Sequence, residues 1–313
     1  MHDLLNIQLT IPSPIQEVNH PLLYKNKIKL FVKREDLIHP EVSGNKWRKL
    51  KYNLEFAKNH GVKKIITFGG AFSNHIHATA AACNYYELES LGIIRGEYDA
   101  DNPTLKFAKE CGMELIFIDR TSYREKENSE KVKDLLASQS SYYLVPEGGS
   151  NELANDGLKE LAEEINKTEY DVIMVSAGTG GTATGILRWL NPSKELWVFS
   201  SLKSDYLHAE ILNTVDLEKQ HQLKFHSSYH YGGYGKSPEK LISFINSFTA
   251  ETKIPLDPIY NGKLVSGFFE MIKIGLIDNS KSYLWIHTGG LQGIDAYNFM
   301  ATKKGKVEIK SMV

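Results

Sequence analysis

Val172-Ile-Met-Val-Ser-Ala-Gly-Thr-Gly-Gly-Thr-Ala-Thr-Gly-Ile-Leu187 is an apolar, β-branched run that breaks at glycines and resumes with small and aliphatic residues. Tyr170 to Ser176 predicts a buried strand and Thr182 to Leu190 a helix, so the stretch is one βα unit of a largely parallel sheet. Glycines at such a junction let backbone N–H groups converge on an anion at the helix N-terminus, and a phosphate suits the turn Gly178, Thr179, Gly180, Gly181, Thr182. The same turn satisfies the relaxed dinucleotide pattern Gly178-x-Gly180-x-x-Ala183, which raises a nicotinamide or flavin enzyme. A dinucleotide site asks for an acidic side chain at the end of the next strand, roughly 20 residues on. That strand, Leu196 to Ser200, ends in Phe199-Ser-Ser-Leu-Lys203. A single phosphate therefore fits better than a pyrophosphate, and a tight turn with no ligand stays as the alternative.

Outward from this unit, β-branched runs and amphipathic stretches alternate along most of the chain, which predicts an α/β protein with two mostly parallel twisted sheets flanked by helices. Strands are expected at Ile28 to Lys33, Lys64 to Phe68, Leu91 to Arg95, Glu114 to Ile118, Tyr142 to Val145 and Tyr283 to His287. Helices are expected at Lys46 to Asn59, with Asn45 as a candidate N-cap, near Ser73, Thr104 and Tyr123, over Glu152 to Asn166, and near 238–250 and 262–274. This pattern assigns residues 47–145 to a small domain and residues 1–46 and 146–313 to a large, cofactor-binding one.

The chain has 313 residues, 42% of them hydrophobic, and 37 basic against 38 acidic residues give a formal charge of -1. Such a balance offers no field for nucleic acid or an acidic membrane surface. No apolar run reaches bilayer length, residues 1–19 lack the pattern of a signal peptide, and Cys83 and Cys111 lack paired spacing. A reduced, cytoplasmic protein is the expectation. His226-x-x-x-His230 suggests a metal, but in an extended segment residues four apart stand roughly 13 Å from each other. His75 and His77 begin a helix, so no metal is expected.

Lys46, in Ser43-Gly-Asn-Lys-Trp-Arg48, stands where a glycine loop yields to a helix; desolvation there would make its amine a nucleophile, although solvated lysines are common at helix starts. Gly69-Gly-Ala-Phe-Ser-Asn-His75 places Ser73 and Asn74 at a helix N-terminus, fit either to receive a substrate carboxylate or simply to cap the helix. Pro146-Glu-Gly-Gly-Ser-Asn151 is a second turn with the same two possibilities. Tyr234 and Tyr260 lie in turn-like surroundings where a phenol could move a proton or only pack.

Taken in order, Val32-Lys-Arg-Glu-Asp-Leu37, Gly44-Asn-Lys-Trp-Arg-Lys-Leu50, Ser73-Asn-His75, Pro146-Glu-Gly-Gly-Ser-Asn151, Gly178-Thr-Gly-Gly-Thr182, Gly233-Tyr-Gly235, Leu256-Asp-Pro-Ile-Tyr-Asn-Gly-Lys263 and His287-Thr-Gly-Gly290 resemble the 1-aminocyclopropane-1-carboxylate deaminase and D-cysteine desulfhydrase family, pyridoxal-phosphate enzymes of the tryptophan synthase β fold type. The resemblance spans nearly the whole chain. It implies pyridoxal 5'-phosphate held as a Schiff base by Lys46, with Asn74 on its ring hydroxyl and residues 178–182 on its phosphate. By the same resemblance Thr288 would stand beside the pyridine nitrogen, Ser73 would face the substrate, and Tyr234 and Tyr260 would be the active-site tyrosines. The expected reaction is deaminating cleavage of a small amino acid to an α-keto acid and ammonia, in a homodimer. Ring-opening members of this family carry Glu after the second tyrosine and Leu between the His and Gly of the last motif; this chain has Asn261 and Thr288, which points toward the desulfhydrase side. The alternatives are the ring-opening deaminase, a nicotinamide oxidoreductase, or a protein that binds pyridoxal phosphate without turnover.

Overall fold

The computed structural model describes residues 8–97, 99–203 and 206–310. Among them are strands β1 (Ile15–Glu17), β2 (Lys29–Lys33), β3 (Lys64–Gly70), β4 (Glu89–Arg95), β5 (Glu114–Ile118), β6 (Tyr143–Val145), β7 (Val172–Ala177), β8 (Glu195–Ser200), β9 (Leu223–His226) and β10 (Ser282–Ile286). They form two sheets, ordered β1-β2-β10-β7-β8-β9 and β5-β4-β3-β6. Every pairing is parallel except β1 against β2. The expectation of an α/β protein with mostly parallel sheets is met.

Chain contacts separate two compact units, one built on His39–Gly157 and the other on Thr10–Ile38 with the chain from Leu158 onward. These units part outside the expected 46/47 and 145/146 boundaries. The helix Gly44–Asn59 lies wholly in the first unit, and the turn at residues 146–151 lies there too. Lys46 therefore travels with the four-stranded sheet.

In the first unit, β3 buries Ile66 and Phe68 with Leu91 and Ile93 of β4 on one side of the sheet. Ile76 and Ala80 of the helix Asn74–Tyr85 pack with Ile94, Leu105 and Met113. Alanines on that helix let it approach closely, and Ser73 caps it, its Oγ accepting from the N–H groups of His75 and Ile76. The helix Pro103–Glu110 begins in the expected manner for Pro after an Asn cap. The helix expected near Tyr123 is divided into Arg120–Glu125 and Glu130–Ala137. Ser43, not Asn45, is the N-cap of Gly44–Asn59: Gly44 has a left-handed φ of 62° and opens the helix itself, which puts Asn45 inside the first turn.

In the second unit β7 is buried throughout. The helices Glu239–Thr252 and Asn261–Lys273 pack on the side of the sheet that carries Met174, Phe199, Tyr283 and Trp285. The helices Glu152–Asn166 and Gly181–Trp189 contribute Leu158, Leu161, Ile186 and Leu187 to the cluster holding Ile173, Val198 and Leu284. The charges of Val32-Lys-Arg-Glu-Asp-Leu37 pair among themselves and with a neighbouring helix: Lys33 Nζ is 2.6 Å from Glu164, and Arg34 is 2.7 Å from Asp36. That motif supports the sheet and supplies none of the proposed site residues.

Candidate active site

The candidate residues fall into two groups, one on each unit. In the first, Lys46 sits in the opening turn of its helix, its Nζ 3.4 Å from the carbonyl oxygen of Gly148. Lys49, one turn on and 2% exposed, donates to the same oxygen at 3.3 Å and to Ser150 Oγ at 2.7 Å. Two amines beside one carbonyl cannot both hold a proton cheaply in a buried place. Burial pushes the Lys46 ammonium down to about 8, against a smaller opposing pull from Glu147. Burial, reinforced by the Lys46 charge, also pushes Lys49 well below the ordinary lysine range. Lys46 is thus a desolvated amine, not the solvated cation common at helix starts.

The turn at 146–151 therefore receives both lysines, while its last residue caps the next helix through Ala154 N–H to Asn151 Oδ1 at 3.0 Å. Of the two uses open from the sequence, the cap is the one seen. His75 lies against this turn: a Cβ on Gly149 would stand 3.2 Å from His75 Cε1. Thr67 gives its only hydroxyl proton to the Val145 carbonyl, so His75 Nε2 must donate to Thr67 Oγ1 at 2.8 Å. Ser73 and Asn74, half-buried at the start of the same helix, lie beside His75 in sequence. Lys46, the 146–151 turn and His75 are brought together within this unit, with Ser73 and Asn74 next to His75 in sequence.

In the second unit, Gly180 is the left-handed N-cap of Gly181–Trp189 at φ 78°, and no side chain caps that helix. Its leading N–H groups are aligned for an anion. Just before the turn, Ser176 Oγ is buried without a hydrogen-bond partner. Tyr260 lies against the turn: a Cβ on Gly178 would be 3.0 Å from Tyr260 Cε1 and 3.1 Å from its hydroxyl oxygen. Tyr234, 52% exposed, has its ring centroid 6.2 Å from that of Tyr260.

Asn261, fully buried, joins Tyr260 to Thr288. Its Nδ2 donates to Asp257 Oδ1 at 2.8 Å, to Gly289 O at 3.2 Å and to Thr288 Oγ1 at 3.4 Å. Its Oδ1 accepts from Trp285 Nε1 at 3.1 Å and from Thr288 N at 3.3 Å. Asp257, also fully buried, accepts the N–H groups of Ile259, Tyr260 and Asn261 at 2.7 to 2.9 Å. Asp257 was not singled out from the sequence, although an Asp shortly before an apolar helical run is a capping signal. Lys49 was missed as well, because nothing local distinguishes it from a surface lysine.

A family model described as pyridoxal-phosphate dependent enzyme matches residues 8–289. The chain belongs to this family. It is 32% identical to the bifunctional D-cysteine desulfhydrase/1-aminocyclopropane-1-carboxylate deaminase of Arabidopsis thaliana, over 94% of this chain and 80% of that protein. It is 26% identical to the D-cysteine desulfhydrase of Klebsiella pneumoniae, over 86% of this chain and 89% of that one. A crystal structure of a 1-aminocyclopropane-1-carboxylate deaminase homologue superposes with a TM-score of 0.79 at 26% identity, covering 96% of this chain and 94% of the other. The chain is therefore a pyridoxal-phosphate-dependent lyase of this fold type, and the nicotinamide alternative falls. The strand after the glycine turn, β8, ends at Ser200 with Ser201 next, not with an acid.

The residues present fit the cofactor this family carries. Its aldehyde needs a lysine amine that can be neutral, and Lys46 is desolvated. Its phosphate needs an uncapped helix N-terminus with nearby hydroxyls, and the 178–182 turn with the orphaned Ser176 Oγ offers one. No group of three or more His, Cys, Asp or Glu side chains suited to a metal occurs among the described residues. No described helix is long and apolar enough to cross a membrane.

Proposed function

We propose that the enzyme eliminates the β-substituent of a small amino acid, with cysteine or a related β-substituted amino acid as substrate, releasing an α-keto acid and ammonia, and sulfide from cysteine. Bound pyridoxal phosphate supplies an electron sink for the amino acid's α-carbon. Lys46, half-neutral near pH 8, binds the cofactor and then holds the α-proton on its amine. The Ser73 hydroxyl, which still has its own proton to donate, and Asn74 orient the substrate carboxylate. Residues 178–182 grip the phosphate through their N–H groups. Tyr234 and Tyr260 hold and return the proton that the leaving group requires. The reading extends to a cytoplasmic homodimer, supported by the family likeness.

The single observation that carries the choice of elimination is Asn261 with Thr288. Asn261 Nδ2 donates to Thr288 Oγ1, which leaves the threonine hydroxyl proton directed elsewhere. With Thr288 beside the ring nitrogen, as the family likeness implies, a neutral hydroxyl donor there would leave that nitrogen unprotonated and the sink modest. A modest sink suits loss of an acidic α-proton and a good leaving group; it does not suit opening a cyclopropane that has no α-proton.

Three experiments test this. Borohydride treatment of the protein mixed with pyridoxal phosphate, followed by peptide mass mapping, is expected to place the added mass on Lys46; mass on Lys49, or none, defeats the assignment. Gly180→Ala, whose Cβ would stand 2.9 Å from Leu207 Cδ1 in a left-handed residue, is expected to weaken capture of pyridoxal phosphate much more than capture of pyridoxal. Keto acid released from D- or L-cysteine, and not from 1-aminocyclopropane-1-carboxylate, completes the picture; the reverse selectivity refutes it.

A further inference from the structure

The segment that carries Tyr234 is sharply bent. Tyr231, Gly232, Gly233 and Gly235 all have left-handed backbone, with φ of 52°, 95°, 102° and 69°. A loop of that shape with an exposed tyrosine at its tip needs an external hold if the tyrosine is to keep one position. The hold is one face of the helix Asn261–Lys273. Lys263, Ser266, Gly267 and Glu270 recur at helical spacing along it. Tyr231 Oη is 2.7 Å from Ser266 Oγ and 3.2 Å from Glu270 Oε1. Gly267 leaves room for the Tyr229 ring, since a Cβ there would lie 2.6 Å from Tyr229 Cγ. Lys263 Nζ, on a residue 1% exposed, donates to the carbonyl oxygen of Gly233 at 2.8 Å.

That last contact is the unusual one. A lysine buried at the start of a helix gives up hydration for one backbone carbonyl, and the carbonyl belongs to the peptide that leads directly into Tyr234. We infer that Lys263 is a positioning residue: it tethers the tip of the 229–235 loop to the helix that begins beside Tyr260, and so sets Tyr234 against Tyr260. The tether itself is a property of this loop; its consequence for turnover rests on the assignment of Tyr234 to the reaction made above. Ser237 Oγ, which donates to the Pro258 carbonyl at 3.1 Å, fixes the far end of the loop to the turn before Tyr260, so Lys263 governs the tip and not the whole segment.

The test is hydrogen-exchange mass spectrometry of the full chain without cofactor, for the unaltered protein, Lys263→Met, Lys263→Gln and Tyr231→Phe. In Lys263→Met the amides of Gly233 and Lys236, which donate to the carbonyls of His230 and Gly233, are expected to exchange about tenfold faster while the helix and β7 keep their protection. Lys263→Gln, which retains a neutral donor, is expected to recover most of it. Tyr231→Phe is expected to loosen 229–232 and leave the amides of Gly233 and Lys236 protected. In the loaded enzyme Lys263→Met is expected to lower kcat about tenfold or more with KM changed less than about threefold, as for loss of a group used only in the transition state. Unchanged protection at Gly233 and Lys236, equal loosening of the helix and strands, loss of the tip in Tyr231→Phe, or a freed loop with undiminished kcat would each overturn the inference. Tyr234→Phe separates the two claims: undiminished turnover there removes Tyr234 from the chemistry, while the exchange data still decide the tether.

Discussion

Lys46 and Lys49 show how three residues of separation decide two different lives for the same side chain. Both donate to the Gly148 carbonyl, but Lys49 has a second acceptor in Ser150 and is the more deeply buried. Lys46 keeps partial exposure and a pKa brought down to about 8. An ordinary lysine would be neutral in only about one molecule in 3,000 at pH 7, whereas at a pKa of about 8 roughly one in ten is. Capture of pyridoxal phosphate needs the neutral amine, so its rate is expected to rise about tenfold from pH 6 to 7 and to flatten just above pH 8. Stopped-flow absorbance across pH 6 to 10 checks this; a rate still climbing steeply at pH 9.5 would mean that Lys46 is solvated. Gly44-Asn-Lys-Trp-Arg-Lys-Leu50 marked Lys46 as the candidate, but its desolvation was not legible, because the groups that bury it come from the turn at 146–151, some hundred residues away along the chain.

At the scale of elements, the helix Asn261–Lys273 joins most of what the second unit contributes, and Asp257 starts it. Its carboxylate accepts three backbone N–H groups and the Asn261 amide, so removing it leaves several buried donors unmet. Asp257→Ala is expected to cost about 2 to 4 kcal/mol, more than a simple exposed cap, because each unsatisfied buried donor carries its full desolvation penalty. Asp257→Asn, which keeps two acceptor directions on one oxygen, is expected to cost less. Urea unfolding followed by far-UV circular dichroism measures both, and equal losses would argue that charge and not acceptor number matters. The βα units around β3, β4, β5 and β7 were legible because each strand is an apolar run followed by a helix of clear period, and β8 was legible as a strand alone. The strand β9 and the helix Gln292–Lys303 were not: the first is a four-residue edge with no fully buried side chain, and the second buries only Gly293, Ala296 and Ala301. Short or half-exposed elements leave little periodic signal to read.

Across the whole molecule, three histidines set an acid limit, His75 and His77 buried and His226 half-buried. Burial holds His77 and His226 down to about 4, and His75 well below the ordinary range, with Lys46 and Lys49 adding to it. Each therefore binds a proton at a lower pH in the folded chain than in the unfolded one. Between about 4 and 6.5 the unfolded state holds more protons, so the stability these groups allow is complete above 6.5 and is lost as pH falls toward 4. The loss is up to ~1.4 kcal/mol per histidine for each pH unit in that window. Carboxylates contribute later, since hydrogen bonds from Lys281, Lys224 and Trp197 outweigh burial and keep Glu195 down to about 2. The histidines are divided between the units, His75 and His77 in one and His226 in the other, so acid weakens both. Trp47 lies in the first unit and Trp189, Trp197 and Trp285 in the second, which lets fluorescence of single-tryptophan variants follow each unit separately when two transitions occur. Urea midpoints are expected to fall steadily between pH 6.5 and 4.5 for both. His77→Phe, which retains a ring for the stack on Phe107 at 3.8 Å but cannot take a proton, is expected to lessen the slope reported by Trp47, with His75 sustaining the remainder, and leave the slope of the second unit unchanged. A first-unit slope undiminished by this change, or midpoints flat down to pH 4.5 in the unaltered chain, would show that the ring nitrogens gain protons without strain and that burial does not govern their titration.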